Sequence, residues 1–314
     1  MTRISLDGDW KLTCFREGEC AVCHPDELAG AGRDAIPARV PGNVELDLER
    51  AGIIGDPFFA DNMLKLRPFE FYEWWYTRDI DVAESAGAGP WRLVFAGLDT
   101  VATVWVNGVE VGRADNMLIE HRFDVTDALR PGGANRICVR IGSPIRQAQR
   151  YRYDATVKSW ETREEGVYMR KAPHMWGWDI MPRAVSAGIW RPVWLESVDG
   201  DAIEQLYFWT ASASADGAAL GVHFQVRTER FGGEQDLSLR FRGECGDHAF
   251  EHEVPIDFVA GNAVIHVPGA RLWWPKGYGE PNLYDVTVAL CAGGEVLAWR
   301  CERIGLRTVQ VDRT

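Results

Sequence analysis

Short alternations of apolar and polar residues, broken by glycine and asparagine, run through most of this chain. Residues 101–106 (Val-Ala-Thr-Val-Trp-Val), then Asn107-Gly108, then Val109-Glu110-Val111 read as a β-hairpin, because Asn-Gly supplies the two positive φ angles of a tight primed turn. Residues 91–95 and 136–141 alternate as half-buried strands. Residues 69–78 do so as well, with the adjacent Trp74 and Trp75 presenting one ring to each face of a sheet. Helical periodicity is almost absent. One short helix is expected, capped by Asn43, with Leu46 and Leu48 as its apolar side and Gly52 at its end. From Ser143 to Met175 the chain turns polar and irregular, as a long loop or insertion does, and strand character returns at 188–196. A turn-rich patch at 197–201 sets the expected boundary between a first domain, 1–198, and a second, 199–314. Beyond it, apolar alternations at 220–227, 237–242, 263–267, 284–290 and 296–300 fit an immunoglobulin-like sandwich. The expected fold class is therefore all-β.

Charge and cysteine content narrow the partners. The 314 residues carry a formal net charge of -12, which excludes a nucleic-acid surface and an anionic membrane surface and suits a neutral ligand. No apolar run reaches the roughly 18 residues of a membrane span, and the N-terminus has no signal-peptide core. The seven cysteines are scattered and odd in number. Cys20, Cys23 and His24, with Cys14 nearby, lack the frame of a zinc or redox site, so neither metal nor cofactor is expected. Free thiols point to a reducing, cytoplasmic compartment.

The candidate chemistry lies in residues 170–183 (Arg-Lys-Ala-Pro-His-Met-Trp-Gly-Trp-Asp-Ile-Met-Pro-Arg), closed by Gly188-Ile-Trp-Arg-Pro-Val193. Indole faces beside a carboxylate suit a sugar, whose C–H faces lie on aromatic rings and whose hydroxyls need fixed polar partners. The alternative is a loop pinned by buried tryptophans, with Asp179 capping a turn. Adjacent Glu164 and Glu165 read as a solvated pair rather than paired catalytic carboxylates, and His174 as a loop histidine. Trp10, Trp75, Trp105 and Trp190 read as core.

The succession of motifs resembles the N-terminal part of glycoside hydrolase family 2, most of all its β-mannosidase branch. The matching pieces are Leu6-Asp-Gly-Asp-Trp10, Val40-Pro-Gly-Asn-Val44, Phe71-Tyr-Glu-Trp-Trp-Tyr76 and residues 95–108 (Phe-Ala-Gly-Leu-Asp-Thr-Val-Ala-Thr-Val-Trp-Val-Asn-Gly). The 176–183 loop, Gly188-Ile-Trp-Arg-Pro-Val193, Arg271-Leu-Trp-Trp-Pro275, Gly279-Glu-Pro-Asn-Leu-Tyr284 and Ile304-Gly-Leu-Arg307 follow. The resemblance implies a jelly-roll sandwich followed by an immunoglobulin-like sandwich. Both catalytic glutamates of the family sit on a C-terminal (β/α)8 barrel that this sequence does not contain. No catalytic residue is therefore assigned, and the chain alone is expected not to hydrolyse a glycoside.

By the same resemblance Asp179 would bond sugar hydroxyls and Trp178 would wall the glycone subsite. Trp176, Arg170 and Lys171 are weaker candidates for substrate contact. The implied partners are the barrel and a β-linked mannoside or related glycoside; self-association into a homo-oligomer is left open. The branch usually has a second Trp-Gly after the aspartate, where Ile180-Met181 stand here, so β-galactosidase, β-glucuronidase and exo-glucosaminidase specificities stay open. Trp273-Trp274-Pro275 is expected to serve a core and interdomain role. Without the barrel, the loop is expected to expose an apolar patch, with Trp176 or Trp178 more accessible than Trp105. Two further functions remain in view: a free-standing carbohydrate-binding module, and a purely structural pair of sandwiches.

Overall fold

The computed structural model describes residues 3–84, 89–157, 164–177, 179–198, 200–233 and 236–311. The chain divides into two compact units, residues 1–199 and 200–314. The first is a jelly-roll sandwich and the second an immunoglobulin-like sandwich.

In the first unit the strands are β1 (Arg3–Ser5), β2 (Gly8–Arg16), β3 (Ile36–Val40), β4 (Tyr72–Val82), β5 (Trp91–Phe95), β6 (Ala102–Val106), β7 (Val109–Ala114), β8 (His121–Asp124), β9 (Gly133–Ile141) and β10 (Val193–Ser197). They form a six-stranded antiparallel sheet, β3-β2-β4-β9-β6-β7, and a four-stranded one, β1-β10-β5-β8. Strand alternation fills the space between them: Ala102, Val104 and Val106 of β6 enter the core with Leu93 and Phe95 of β5. The paired tryptophans of β4 divide as their adjacency requires. Trp74 joins this core, whereas Trp75 joins Phe15, Trp105 and Cys138 in a second cluster on the sheet's outer face. The turn between β6 and β7 has φ 51° at Asn107 and 82° at Gly108, as a primed turn demands.

Several boundaries move for identifiable reasons. Residues 69–71 belong to a 3-10 segment, Asn62–Phe71, and the strand begins only at Tyr72. The last strand of the unit begins at Val193, after Pro192, whose missing N–H cannot serve a ladder. The helix is α1, Val44–Arg50, and the Asn43 side chain accepts from the Leu46 N–H as its cap. Its inward face is Val44 and Leu48, four residues apart, while Leu46 is exposed. The irregular stretch contains α2, Pro144–Ala148, capped by the Ser143 side chain.

The second unit contains β11 (Ala202–Ser214), β12 (Gly217–Arg227), β13 (Leu237–Cys245), β14 (His248–Pro255), β15 (Ala260–Pro268), β16 (Tyr284–Ala292) and β17 (Glu295–Ile304). Sheets β11-β12-β15 and β14-β13-β16-β17 enclose Leu220, Val222, Leu239, Phe241, Ile265, Val286 and Val288. Tyr284 is fully buried, and its hydroxyl accepts the Arg271 N–H at 2.9 Å. Trp273 is half-buried under the Arg307 guanidinium, 4.5 Å from its ring, while Trp274 is 46% exposed and so is not a core residue.

All seven cysteines are free thiols. Burial pushes the Cys14 thiol up to about 11 and the Cys138 thiol up to about 12, so both stay protonated near neutrality. His24 is committed to structure: its ring accepts the Asp26 N–H and its Nε2 donates to the Gly108 carbonyl at 2.7 Å. Among the described residues, no helix is long and apolar enough to cross a membrane.

Candidate functional site

Three of the sequence motifs interlock to make the base of the 170–188 loop. Gly42 N–H donates to Ile189 O at 3.0 Å and Val44 N–H to Ala187 O at 2.9 Å, while Asp99 and Gly188 exchange two backbone bonds of 2.9 and 3.1 Å. Gly188 is required there, because an added Cβ would sit 2.6 Å from the Gly42 carbonyl oxygen. Into this junction runs Lys171, 3% exposed, with Nζ 2.5 Å from Asp99 Oδ1 and 2.7 Å from Ser186 O. Burial pulls the ammonium below its ordinary range, and the Asp99 carboxylate opposes that shift. The Ser186 hydroxyl donates to Glu45 Oε2 at 2.6 Å, and burial raises the Glu45 carboxyl. Lys171 is therefore an anchor of the loop. Its ammonium, offered by the sequence as a weaker candidate for substrate contact, donates to Asp99 and Ser186 inside the protein.

A second anchor lies further along. Residues Pro173–Trp176 form a 3-10 turn that ends at Gly177, whose φ of 89° a side chain would strain. Trp176 is 3% exposed, less than Trp105 at 5%, and packs with Ile145, Ala148, Met169 and Val185. Trp176 is therefore not the more accessible ring, because neighbours within the first unit cover its indole; Trp178, the other ring of that expectation, lies outside the described residues. Arg183 closes the turn from the other side. Its Nε and Nη2 donate to the two oxygens of buried Glu70 at 2.9 and 2.8 Å, and its Nη1 to Glu165 at 2.9 Å. Its guanidinium also lies 5.4 Å from the centre of the Trp176 ring. Glu165 is thus ion-paired rather than one of a solvated pair. Because Glu70 and Glu165 share one arginine, they are braces and not a general acid–base pair.

Between the two anchors the chain turns outward. Asp179 is exposed, and one carboxylate oxygen, Oδ1, accepts its neighbour's Ile180 N–H at 3.0 Å. Ile180 is 83% exposed and Met181 42%, an apolar pair beside the carboxylate. Trp178 lies outside the described residues. Arg170 is exposed, and its backbone carbonyl accepts the Met117 N–H at 3.0 Å. His174 is exposed as well. Among the described residues, no group of three or more His, Cys, Asp or Glu is disposed to hold a metal.

The structure brings Arg170, Lys171, Trp176 and Asp179 into one short segment but gives them unlike surroundings: Lys171 and Trp176 are buried, Asp179 and Arg170 exposed. Sequence reasoning did not assign Asp99, Glu70 or Arg183 to the site. Asp99 stood within a quoted motif and Arg183 at the end of the loop, yet their partners are 72 and 113 residues away in sequence.

Residues 22–191 match the family described as the glycosyl hydrolase 2 galactose-binding domain-like family, and residues 202–307 match glycosyl hydrolases family 2. The chain is 30% identical over 315 aligned positions to β-mannosidase B of Thermothelomyces thermophilus, covering 98% of this chain and 34% of that protein. The crystal structure of a β-D-mannosidase from Dictyoglomus thermophilum superimposes with a TM-score of 0.78 at 28% identity, over 99% of this chain and 37% of that one. A β-glucuronidase from Ruminococcus gnavus, at 18% identity, a TM-score of 0.59, and coverage of 99% and 46%, shares the fold. The chain spans about a third of the length of the curated relatives it matches.

Proposed function

This chain belongs to glycoside hydrolase family 2, and from that premise we propose that it is the non-catalytic N-terminal part of a β-mannosidase-like retaining exo-glycosidase. In this reading it supports a (β/α)8 barrel and completes the barrel's glycone subsite with Asp179 and Trp178. The observation that carries the reading is the contrast within the loop: an exposed Asp179 carboxylate between two buried anchors, Lys171–Asp99 and Arg183–Glu70. A carboxylate held on a fixed stem can accept two sugar hydroxyl bonds, and charge-assisted bonds are the stronger kind. A stem fixed before substrate arrives leaves less ordering to be done on binding.

Ile180 and Met181, the exposed apolar pair next to Asp179, are surface that the barrel would cover. The substrate of the whole enzyme in this reading is a β-linked mannoside or related glycoside, supported by the similarity to β-mannosidases over nearly the whole chain. The domains run over residues 1–198 and 199–314, and a cytoplasmic location accords with seven free thiols.

The test is turnover of nitrophenyl β-mannoside. The chain alone leaves it intact, because the two glutamates of the reaction lie on the barrel. In a polypeptide that joins this chain to a family barrel, Asp179→Ala lowers kcat/KM by the equivalent of about 2–4 kcal/mol, the loss of charged hydrogen bonds to the sugar. Nitrophenol release by the pure chain would refute the assignment of catalysis. A change below about threefold in a folded Asp179→Ala variant would reduce Asp179 to a loop residue.

A further inference from the structure

Sheet β11-β12-β15 ends in a strand whose composition does not protect its edge. Among the described residues β15 pairs only with β12, in a register unbroken from the Gly217–Pro268 pair to the Gln225–Ala260 pair. On the opposite edge β11 is interrupted by two register irregularities, and bulges are one device that keeps an edge from pairing with another chain. Charge is a second. Among the described residues every other edge strand, β1, β3, β7, β8, β11, β14 and β17, carries at least one Arg, Lys, Asp or Glu. Strand β15, Ala-Gly-Asn-Ala-Val-Ile-His-Val-Pro, carries none. Apolar surface continues along it, with Phe258 74% exposed, Val259 53% and Val264 51%. A flat, uncharged edge rich in β-branched residues is a template for another strand.

Parity identifies the backbone groups on offer. The Val226 N–H donates to the Val259 carbonyl at 2.7 Å, and antiparallel bonding alternates, so residues 261, 263, 265 and 267 bond to β12. The N–H and C=O of Ala260, Asn262, Val264 and His266 therefore point to the open edge, and among the described residues nothing bonds them. At the end of the strand His248 Nε2 donates to the Pro268 carbonyl at 2.9 Å, and Pro268 has no N–H, so pairing stops there. The remaining run is symmetric about Val264. An antiparallel copy centred on that residue sets Val264 against Val264 and Asn262 against His266 on either side, closing about six backbone bonds. On the core side Ala263 meets Ile265, small against large. No like charges come face to face, which self-contact demands of a chain with a net charge of -12. This match of the strand to its own reversal selects a second copy of the chain as the occupant.

We infer that two copies of this chain associate through β15, edge to edge, about a two-fold axis at Val264. The contact lies wholly within unit 200–314 and depends on neither the barrel nor Asp179. The experiment is sedimentation velocity of the whole chain from about 1 µM to about 300 µM, the range in which a contact this small dissociates. A 35.2 kDa monomer should give way to a species of twice that mass as concentration rises. Val264→Lys, and separately Val264→Glu, should raise the dissociation constant at least about fivefold by setting like charges together on the axis. An equimolar mixture of the two variants should recover the dimer, and Val264→Thr should keep it. The Val264 side chain faces solvent, so circular dichroism should show the wild-type fold in each variant. Hydrogen exchange gives a readout without substitution: the amides of Asn262, Val264 and His266 should slow as the wild-type concentration rises. A wild type that stays monomeric throughout would overturn the inference. So would a dimer indifferent to Val264→Lys, a Lys/Glu mixture that stays monomeric, or a series of ever larger species in place of a closed dimer. Free exchange of the three amides in the dimer would overturn it as well.

Discussion

At the scale of single residues, the first unit depends on buried charges that composition cannot reveal. Asp47 lies on α1 with its carboxyl buried, accepting the Arg39 N–H at 3.0 Å and paired with Arg50. Burial raises this carboxyl from 3.8 to about 6 against the pull of those partners. A folded pKa above the unfolded one gives stability that is complete below about 3.8 and lost as the pH rises through about 6. Asp47→Asn keeps the acceptor for Arg39 but cannot titrate. The variant-minus-wild-type unfolding free energy, measured in urea from pH 4 to pH 7, should therefore rise by about 2–3 kcal/mol. A flat difference would show that the carboxyl ionises without cost. Lys171 offers the opposite test. Lys171→Met leaves Asp99 buried without its cation and should destabilise the protein by about 3–5 kcal/mol. A loss under about 1 kcal/mol in urea unfolding would mean that water reaches this junction.

At the scale of elements, backbone bonds pin the 170–188 loop at its two ends, to Met117 and to Asp99 and Val44, and side chains hold the stretch between them. Arg183 is the principal clamp, since one planar fork serves Glu70 and Glu165 at once. Arg183→Ala should speed amide hydrogen exchange across residues 173–186 and leave β5 and β10 protected. Arg183→Lys should not restore protection, because an ammonium cannot present the same paired donors. Unchanged exchange in the alanine variant would place the restraint elsewhere, in the packing of Trp176. Helix α1 shows the same logic in miniature. The Asn43 cap was legible because it depends on neighbours three residues away, whereas the inward face depends on where the helix meets the sandwich.

At the scale of the whole molecule, the two hydrophobic cores share no residue. The unit 200–314 has its own seven strands and buried interior, so a polypeptide limited to those residues should give a β-type circular-dichroism spectrum and a cooperative melt. A piece that is unfolded in buffer would show that the second core needs the first unit to form.

The sequence by itself determined the elements whose causes are local. Period-two alternation placed β5, β6 and β9, Asn107-Gly108 placed the turn from β6 to β7, and the order of motifs placed the chain in its family. The sequence also drew attention to the 170–183 loop, because tryptophan, glycine and aspartate are crowded there. Tertiary structure alone decided what each loop residue does. Lys171 and Trp176 stood as weaker candidates than Asp179, and the structure shows Lys171 bound to Asp99, 72 residues away, and Trp176 covered by Ile145, Met169 and Val185. The groove lined by Thr103, Arg113, Arg140 and Gln147 was likewise illegible, since its walls come from β6, β7, β9 and α2. Alternation tells which side of its own strand a residue takes. Only the folded chain brings distant segments together, and that meeting decides whether a side chain faces solvent, a partner charge or a cavity.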